Sequence, residues 1–146
     1  MRILVSACLL GTACRYDGKS APKKHITELL DKHDLIPVCP EIFGGLPTPR
    51  SPSEIKDGRV ITKMGKDVTE EYRKGAEEAL KIAVLYGCKY AILKEKSPSC
   101  GSGRIYDGTF SGCLTDGYGI TAELLMKNGI KVFGESDIEE LLNLED

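Results

Sequence analysis

Short apolar runs recur along the chain and are separated by stretches with helical periodicity. Four runs have the length of buried strands: residues 2–7, 34–38, 89–94 and 130–133. Helical spacing marks the stretches from about Lys23 to Lys32, from Thr69 to Gly87, from about Ile120 to Lys127, and onward from Ser136 and Asp137. Strands that alternate with helices through right-handed crossovers build a mostly parallel sheet covered on both faces. We therefore predict an α/β fold, a single-domain three-layer α/β/α sandwich with a Rossmann-like sheet over residues 1–146.

Three further segments interrupt this alternation. Residues 44–52 contain two adjacent glycines and three prolines, which predicts a loop that leads to a site or covers it. Residues 58–68 suggest a small hairpin with its turn at Met64 and Gly65. Residues 101–119 are rich in glycine and have little periodicity, so we predict a long, ordered or functional loop there.

Composition and charge narrow the functional classes. A chain of 146 residues with 41% hydrophobic and 29% charged residues is typical of one soluble globular domain. No apolar run reaches the roughly 18 residues of a membrane span, and the first residues resemble a strand more than a secretory signal. The net charge of −2, with both signs interspersed, lacks the broad basic face that nucleic acid requires. We expect a cytoplasmic protein that binds a small molecule; its oligomeric state stays open, with a homodimer as one option.

Six cysteines are the main chemical signal, because a reducing cytosol disfavours disulfides and favours metal-binding or catalytic thiols. Cys8, Cys39 and Cys100 each follow a predicted strand. The carboxyl ends of parallel strands share one edge, so we expect these thiols to converge. Thiolates bind zinc, copper(I) or iron–sulfur clusters, and the absence of a Cys-x-x-Cys pair disfavours structural zinc. Three thiolates would hold a cluster and leave one iron open to an outside atom.

The other thiols and imidazoles are harder to assign. Cys14 lies six residues after Cys8 and could be a fourth ligand or a redox partner. Cys88 ends the long predicted helix and is best explained as a small buried hydrophobe. We assign no role to the remaining side chains of these types, which are Cys113, His25 and His33.

One carboxylate stands beside the predicted thiol site. Glu41 comes two residues after Cys39, and Pro40 between them stiffens the turn. A carboxylate near a partly desolvated site can exchange protons close to neutral pH, which makes Glu41 the leading acid/base residue. The alternative is an exposed loop carboxylate without a catalytic role.

Serine and arginine side chains complete the polar loops. Ser97 and Ser99 precede Cys100, and their hydroxyls can orient a water or a substrate, or simply form a turn. Arg15 and Arg50 can bind a carbonyl, carboxylate or phosphate group, or brace the loops in which they lie. Ser99, Arg15 and Arg50 are therefore candidate substrate-binding residues, and Ser97 is a candidate for contact with a substrate or a water.

Three motifs occur in order along the chain: Cys8-Leu-Leu-Gly with Cys14-Arg-Tyr-Asp-Gly, then Cys39-Pro-Glu-x-x-Gly-Gly-Leu-x-x-Pro-Arg50, then Ser97-Pro-Ser-Cys-Gly101. Together they resemble the 2-thiouracil desulfurase (desulfidase) family, formerly a domain of unknown function. The resemblance extends over essentially the whole chain. Three separate motifs in the correct order are far more specific than any one of them.

The resemblance implies a [4Fe-4S] cluster held by Cys8, Cys39 and Cys100, with Cys14 dispensable. The open iron would act as Lewis acid and sulfur acceptor while water attacks the thiocarbonyl carbon of a thiouracil-like substrate. Glu41 would shuttle the proton and Ser97 would position or protonate the reacting groups. The products would be the oxo compound and sulfide, a hydrolytic cleavage without net electron transfer. The alternatives are a non-catalytic sulfur-transfer or redox-sensing cluster protein, and a zinc- or thiol-binding module.

Overall fold

Strands and helices alternate along the chain in the computed structural model, which describes residues 1–144. The elements are β1 (Arg2–Ser6), α1 (Lys24–Thr27), β2 (Asp34–Val38), α2 (Pro40–Phe43), β3 (Ser53–Lys56), β4 (Arg59–Thr62), α3 (Thr69–Leu85), β5 (Tyr90–Leu93), β6 (Ser102–Tyr106), β7 (Leu114–Tyr118), α4 (Ile120–Lys127), β8 (Lys131–Gly134) and α5 (Ile138–Leu142). The central sheet has the order β2-β1-β5-β8, and all its pairs are parallel. These are the four strands that the apolar runs predict.

Helices cover both faces of this sheet. Successive side chains of a strand point to opposite sides, so the apolar strands present two apolar faces, and each face is buried under helices. One face packs with α1 and α5 in a core that includes Ile3, Val5, Ile26, Ile138 and Leu141. The other face packs with α3 and α4 in a core that includes Leu4, Ala79, Ala83, Ala91 and Leu125. Burying one large aliphatic side chain of this kind stabilises the fold by about 1.5–3 kcal/mol. The predicted three-layer α/β/α sandwich is confirmed.

The short helix α2 is pressed against α3 by direct backbone contact. A Cβ atom on Gly75 would lie 1.8 Å from the carbonyl oxygen of Pro40, and one on Gly44 would lie 1.9 Å from the carbonyl oxygen of Glu71. Only residues without a Cβ permit this approach. Because Pro40 begins α2 directly after Cys39, the contact fixes the position of the second cysteine loop.

The segments between the parallel strands form antiparallel pairs. The hairpin predicted over residues 58–68 is present as a short one: Ile61 pairs antiparallel with Asp67, and backbone hydrogen bonds join Thr62 to Lys66 and Val68 to Val60 around the turn at Met64 and Gly65. The sequence did not predict β3, which pairs antiparallel with β4 on its other side around a turn at Asp57 and Gly58. The predicted loop over residues 101–119 is wrong, because β6 and β7 form a ladder there. Gly103 pairs with Gly117 in this ladder, and two residues without side chains erase the alternation that would have revealed the strands.

The remaining differences are small. The first helix is shorter than predicted, since α1 gives way to a 3₁₀ turn over Glu28–Asp31. Residues 44–52 form the predicted loop, although α2 immediately before it was not anticipated. Across residues 1–144, no helix combines the length and apolar character needed to cross a membrane.

Candidate functional site

The three predicted cysteine loops open into one cavity. Cys8 lies in a 3₁₀ turn directly after β1, Cys39 lies between β2 and α2, and Cys100 follows β5. All three line a cavity of about 530 Å³. Because β1, β2 and β5 are parallel neighbours, this cavity lies at the carboxyl edge of the sheet, where open α/β folds bind ligands. Its volume falls in the range of small-molecule sites.

Two of the cavity thiols, Cys39 and Cys100, are held in their protonated form by their surroundings. Burial raises the pKa of the Cys100 thiol to about 12, although hydrogen bonds from Ser6 and Ser99 act in the opposite direction. The pKa of Cys39 is raised by a hydrogen bond with Cys14 and further by burial. Such thiols need a cationic partner to become thiolates, and metal binding to them releases protons.

Cys14 is a fourth thiol of the same cavity. It is buried and lines the cavity together with Cys8 and Cys39. Its pKa is raised: hydrogen bonding with Cys39 lowers it, but hydrogen bonding with Cys8 and burial outweigh that effect. The Cys39 thiol also donates to the Cys14 carbonyl oxygen at 3.8 Å. This placement is compatible with both alternatives from the sequence, a fourth ligand and a redox partner.

Glu41 lines the cavity next to Cys39 and is fixed by two donors. Nη2 of Arg50 lies 2.6 Å from Oε2, and the Tyr72 hydroxyl donates to Oε1. The Arg50 side chain is 5% exposed and the Glu41 side chain 18%. A largely buried ion pair of this geometry restricts the carboxylate to one orientation. Glu41 is therefore not the exposed loop carboxylate that the sequence left open.

Arg50 acts as a brace between loops. Besides Glu41, its guanidinium donates to the carbonyl oxygens of Cys14 at 2.9 Å and Pro47 at 3.2 Å, and to Oγ1 of Thr48 at 3.0 Å. Arg50 is not among the described residues that line the cavity. Of the two roles that the sequence offered for this residue, the contacts correspond to loop bracing.

Tyr72 is a site residue that sequence reasoning missed. It lies on α3, where its spacing from Ala76 and Ala79 reads as one more position on the apolar face. Burial, and then the negative charge of Glu41, raise the pKa of its hydroxyl, so the phenol is a neutral donor to that carboxylate. The helical period locates the side chain correctly, but it cannot reveal a partner 31 positions away in the chain.

The two serines of the third motif have different surroundings. Oγ of Ser97 lines the cavity and accepts the backbone N–H groups of Ser99 and Cys100, both at 3.1 Å. Because these bonds occupy the oxygen's acceptor sites, the Ser97 hydroxyl proton is left to donate. Ser99 is 1% exposed and its hydroxyl lies 2.7 Å from Oγ1 of Thr121, so it ties the Cys100 loop to α4. The described cavity lining does not include Ser99.

Charged and aromatic side chains complete the cavity wall. Arg15 lines it, and its guanidinium carbon lies 5.8 Å from the ring centre of Tyr16. Sequence reasoning missed most of the remaining wall, which includes Glu54, Lys63, Lys94, Lys96, Tyr106 and Phe110. Four of these residues, Glu54, Lys63, Tyr106 and Phe110, lie in or beside strands β3, β4 and β6, and Lys94 and Lys96 follow β5. Their approach to the cavity depends on how the hairpins pack on the sheet, which the sequence does not reveal.

The remaining thiols and imidazoles lie elsewhere. Cys88 is buried in the core that contains Leu4, as expected for a small hydrophobe, and Cys113 is exposed. The His25 ring donates through Nε2 to the carbonyl oxygen of Glu135 at 2.9 Å, and the His33 ring contacts the N-terminal amine at 3.2 Å.

Three of the cavity thiols fit an iron–sulfur cluster. Within residues 1–144, no group of three or more histidine, cysteine or acidic side chains is arranged to hold a single ion. Cys8, Cys39 and Cys100 nevertheless line the same cavity, and three soft sulfur donors around a roomy cavity suit an iron–sulfur cluster. Cys8, Cys39 and Cys100 therefore fit the cofactor that the motifs imply.

The fold and the site define an α/β protein with four thiols and a fixed carboxylate around an open cavity at the sheet edge. The chain belongs to the 2-thiouracil desulfurase family, whose sequence profile matches residues 3–137. The family resemblance of the three motifs is confirmed.

Two relatives are similar over nearly their whole length. The chain is 44% identical to the "Uncharacterized protein YbbK" of Bacillus subtilis (strain 168) over 150 residues, which covers 96% of this chain and 99% of that protein. A solved structure described as "[4Fe-4S]-dependent thiouracil desulfidase TudS" superposes with a TM-score of 0.92 at 48% identity. That match covers 97% of this chain and 95% of the other.

Proposed function

We propose that the chain is a [4Fe-4S]-dependent desulfidase that converts the C=S group of a small, thiouracil-like molecule to C=O and releases sulfide. The observation that carries this proposal is the convergence of Cys8, Cys39 and Cys100 on one cavity that Glu41 also lines. Family membership and the name of the structural neighbour support the same activity and cofactor. A non-catalytic cluster protein or a zinc module is not favoured.

Three thiols would hold the cofactor: those of Cys8, Cys39 and Cys100. When bound, the cluster supplies a Lewis-acidic iron with a free coordination position for the substrate's sulfur. Cys14 is dispensable in this assignment. Because the pKa values of Cys39 and Cys100 are raised, loading the site displaces their protons.

Glu41 is the residue that moves the proton of the attacking water. Its carboxylate lines the cavity, and Arg50 and Tyr72 each hold one of its two oxygens in place. Each carboxylate oxygen can accept a second hydrogen bond, so the bonds from Arg50 and Tyr72 still allow Glu41 to accept one from a water. Such positioned proton transfer contributes typically about 10²–10⁴-fold to a rate.

Ser97 lines the same cavity as Glu41 and supplies a hydrogen-bond donor. Its oxygen is occupied by two backbone N–H groups, so its hydroxyl can donate a hydrogen bond to the substrate or to the leaving sulfur. One water is consumed, the C=S bond is replaced by C=O, and both protons of that water leave with the sulfur. We therefore classify the reaction as hydrolytic, without net electron transfer.

Two broader assignments belong to the same proposal. Residues 1–146 form one desulfidase-like domain, and a reducing cytoplasm is the compartment that suits its free thiols. The substrate is small, because the cavity of about 530 Å³ must accept it beside the cofactor.

Anaerobic reconstitution with iron and sulfide, followed by absorption spectroscopy and a sulfide-release assay with 2-thiouracil, tests the proposal. We expect visible absorption from the cluster and release of sulfide. A carrier or sensor would show the cluster without turnover, and a zinc module would bind zinc without visible absorption. Loss of iron on substitution of Cys8, Cys39 or Cys100 is also expected, and a cluster that survives all three substitutions would overturn the ligand assignment.

A further inference from the structure

Phe110 is a cavity residue with an unusual backbone. It lies between β6 and β7 and has a φ angle of +56°; Lys96, at +68°, is the other non-glycine residue with a positive φ among the described residues that line the cavity. Bulky side chains avoid this left-handed region, because Cβ then crowds the neighbouring carbonyl oxygen. Strain of this kind persists only where the surroundings enforce it, and it collects at sites of function.

The surroundings that enforce this conformation belong to the other hairpin. Oε1 of Glu54 on β3 accepts the backbone N–H groups of Gly108 at 3.0 Å and Phe110 at 3.1 Å. A Cβ on Gly108 would lie 2.8 Å from the carbonyl oxygen of Ile55, so the two hairpins are in close backbone contact. Asp107 stiffens the same connection by accepting both the N–H and the hydroxyl of Thr109.

Core packing does not explain why a phenyl ring occupies this position. Phe110 is half-buried and belongs to none of the three hydrophobic clusters in the described part of the chain. What it does line is the cavity that contains Cys8, Cys39 and Cys100. Phe110 thus combines three features. Its backbone is strained, its N–H is held by Glu54 of the other hairpin, and its aromatic side chain lies at the cavity wall.

From these observations we propose that Phe110 packs against the ring of the substrate and selects planar heteroaromatic thiocarbonyl compounds, with Glu54 as its positioning residue. The proposal rests on the proposed function for the identity of the ring. Aromatic side chains stack on planar bases, with the two rings offset, because each base presents a flat π surface. Glu54 acts through Phe110 by fixing the backbone from which the ring projects.

The ring contact can be tested apart from the desulfidase activity by using two ligands, uracil and 2-thiouracil. Uracil carries the ring without the sulfur, so calorimetric titration of uracil into the cluster-loaded protein reports the ring contact without turnover. Steady-state kinetics with 2-thiouracil report the same contact through KM. Loss of a ring contact that is equal in ground and transition states raises KM and leaves kcat nearly unchanged.

Phe110→Ala is expected to weaken uracil binding and to raise KM for 2-thiouracil, each by at least about fivefold. Phe110→Tyr keeps the aromatic face and should recover most of the affinity, whereas Phe110→Leu should recover little. Tyr118→Ala is the matched control, because Tyr118 is an exposed aromatic residue on the same hairpin that does not line the described cavity. Its uracil affinity should equal that of the unaltered protein. Uracil affinity and KM that do not respond to Phe110→Ala, or a tyrosine variant as impaired as the alanine variant, would overturn the proposal.

The positioning role of Glu54 has its own test. Glu54→Gln retains a side-chain oxygen that can accept the two N–H groups, whereas Glu54→Ala retains none. We expect the glutamine variant to bind uracil nearly as the unaltered protein does and the alanine variant to bind it several-fold more weakly. Equal impairment of both variants would show that Glu54 acts through its charge instead. If the protein binds uracil through Phe110 but releases no sulfide, the proposed function fails and the ring contact stands.

Discussion

The guanidinium of Arg50 lies 2.6 Å from the carboxylate of Glu41, nine positions away in the chain, and both side chains are largely withdrawn from water. This pair joins the second cysteine loop to the proline-rich loop that follows it. The Tyr72 hydroxyl approaches the same carboxylate from α3. The residue proposed to move the proton is therefore fixed by two elements at once, which is the preorganisation that proton transfer requires.

Replacing Arg50 should destabilise the fold. Arg50→Ala leaves the Glu41 charge without its partner and removes the donors to Cys14, Pro47 and Thr48. We expect a loss of about 3–5 kcal/mol in the free energy of unfolding, measured by urea denaturation. Arg50→Lys keeps the charge but cannot reach all these acceptors in a fixed fork, so it should recover only part of the loss.

The control for this experiment is an exposed ion pair on α3. Arg73 pairs with Glu70 at 3.0 Å, and both side chains are exposed. Arg73→Ala should change the free energy of unfolding by less than about 1 kcal/mol. An Arg50→Ala effect as small as this one would contradict the bracing role.

Cys14 should be dispensable for cluster binding. Cys14→Ser is expected to retain the iron content and visible absorption of the reconstituted protein, whereas Cys8→Ser, Cys39→Ser and Cys100→Ser should each lose most of both. Cys113→Ser is a control, because Cys113 is exposed. The measurement is iron and acid-labile sulfide per chain after anaerobic reconstitution. Iron loss in Cys14→Ser comparable to that in Cys39→Ser would instead make Cys14 a ligand.

The contact between α2 and α3 should not tolerate a side chain at Gly75. In Gly75→Ala the new methyl group would meet the carbonyl oxygen of Pro40, so α2 must move and take Cys39 with it. We expect a loss of about 1–3 kcal/mol or more in the free energy of unfolding, together with reduced iron content. Lys74→Ala, at the adjacent exposed position of the same helix, should change neither quantity appreciably. A stable, fully loaded Gly75→Ala protein would refute the close approach.

The start of α3 should respond to acid through Asp67. Hydrogen bonds from the hydroxyl and N–H of Thr69, and then from Arg59, hold the pKa of Asp67 at about 2, below its ordinary value of 3.8. A lowered pKa means that the stabilisation is fully present above about pH 4 and is lost as the pH falls towards 2. Asp67→Asn should remove this part of the acid dependence in urea denaturation between pH 2 and pH 5. Asp116→Asn, an exposed carboxylate on β7, provides the comparison; indistinguishable pH profiles for Asp67→Asn and the unaltered protein would contradict the assignment.

Much of the fold follows from sequence because its signals are local. The four parallel strands are continuous apolar runs, and α3 has a long apolar face that ends at a glycine. The convergence of Cys8, Cys39 and Cys100 follows from one further rule, that parallel strands end at the same edge. The family motifs then identify part of the cavity lining, namely Cys8, Cys39, Glu41, Ser97 and Cys100, without reference to coordinates.

What the sequence could not supply depends on pairs of residues distant in the chain. The hairpin of β6 and β7 was missed because Gly103 and Gly117 face each other and give no alternation. Two hydrogen bonds are examples: Tyr72 donates to Glu41, and the N–H of Phe110 donates to Glu54. Each joins elements whose relative placement only the folded chain defines. Arg50 appears in a motif, yet nothing in that motif distinguishes a brace from a substrate ligand.

The most direct test of the central claim measures the sulfide and the uracil that are released from 2-thiouracil. The unaltered protein and Glu41→Gln are compared at equal cluster content. The unaltered protein should release the two products in equal amounts. Glu41→Gln, which preserves the size of the side chain but cannot take up the proton, should keep the cluster absorption and lose about 100-fold or more in rate. Full cluster occupancy without sulfide release by the unaltered protein, or undiminished turnover by Glu41→Gln, would contradict the account.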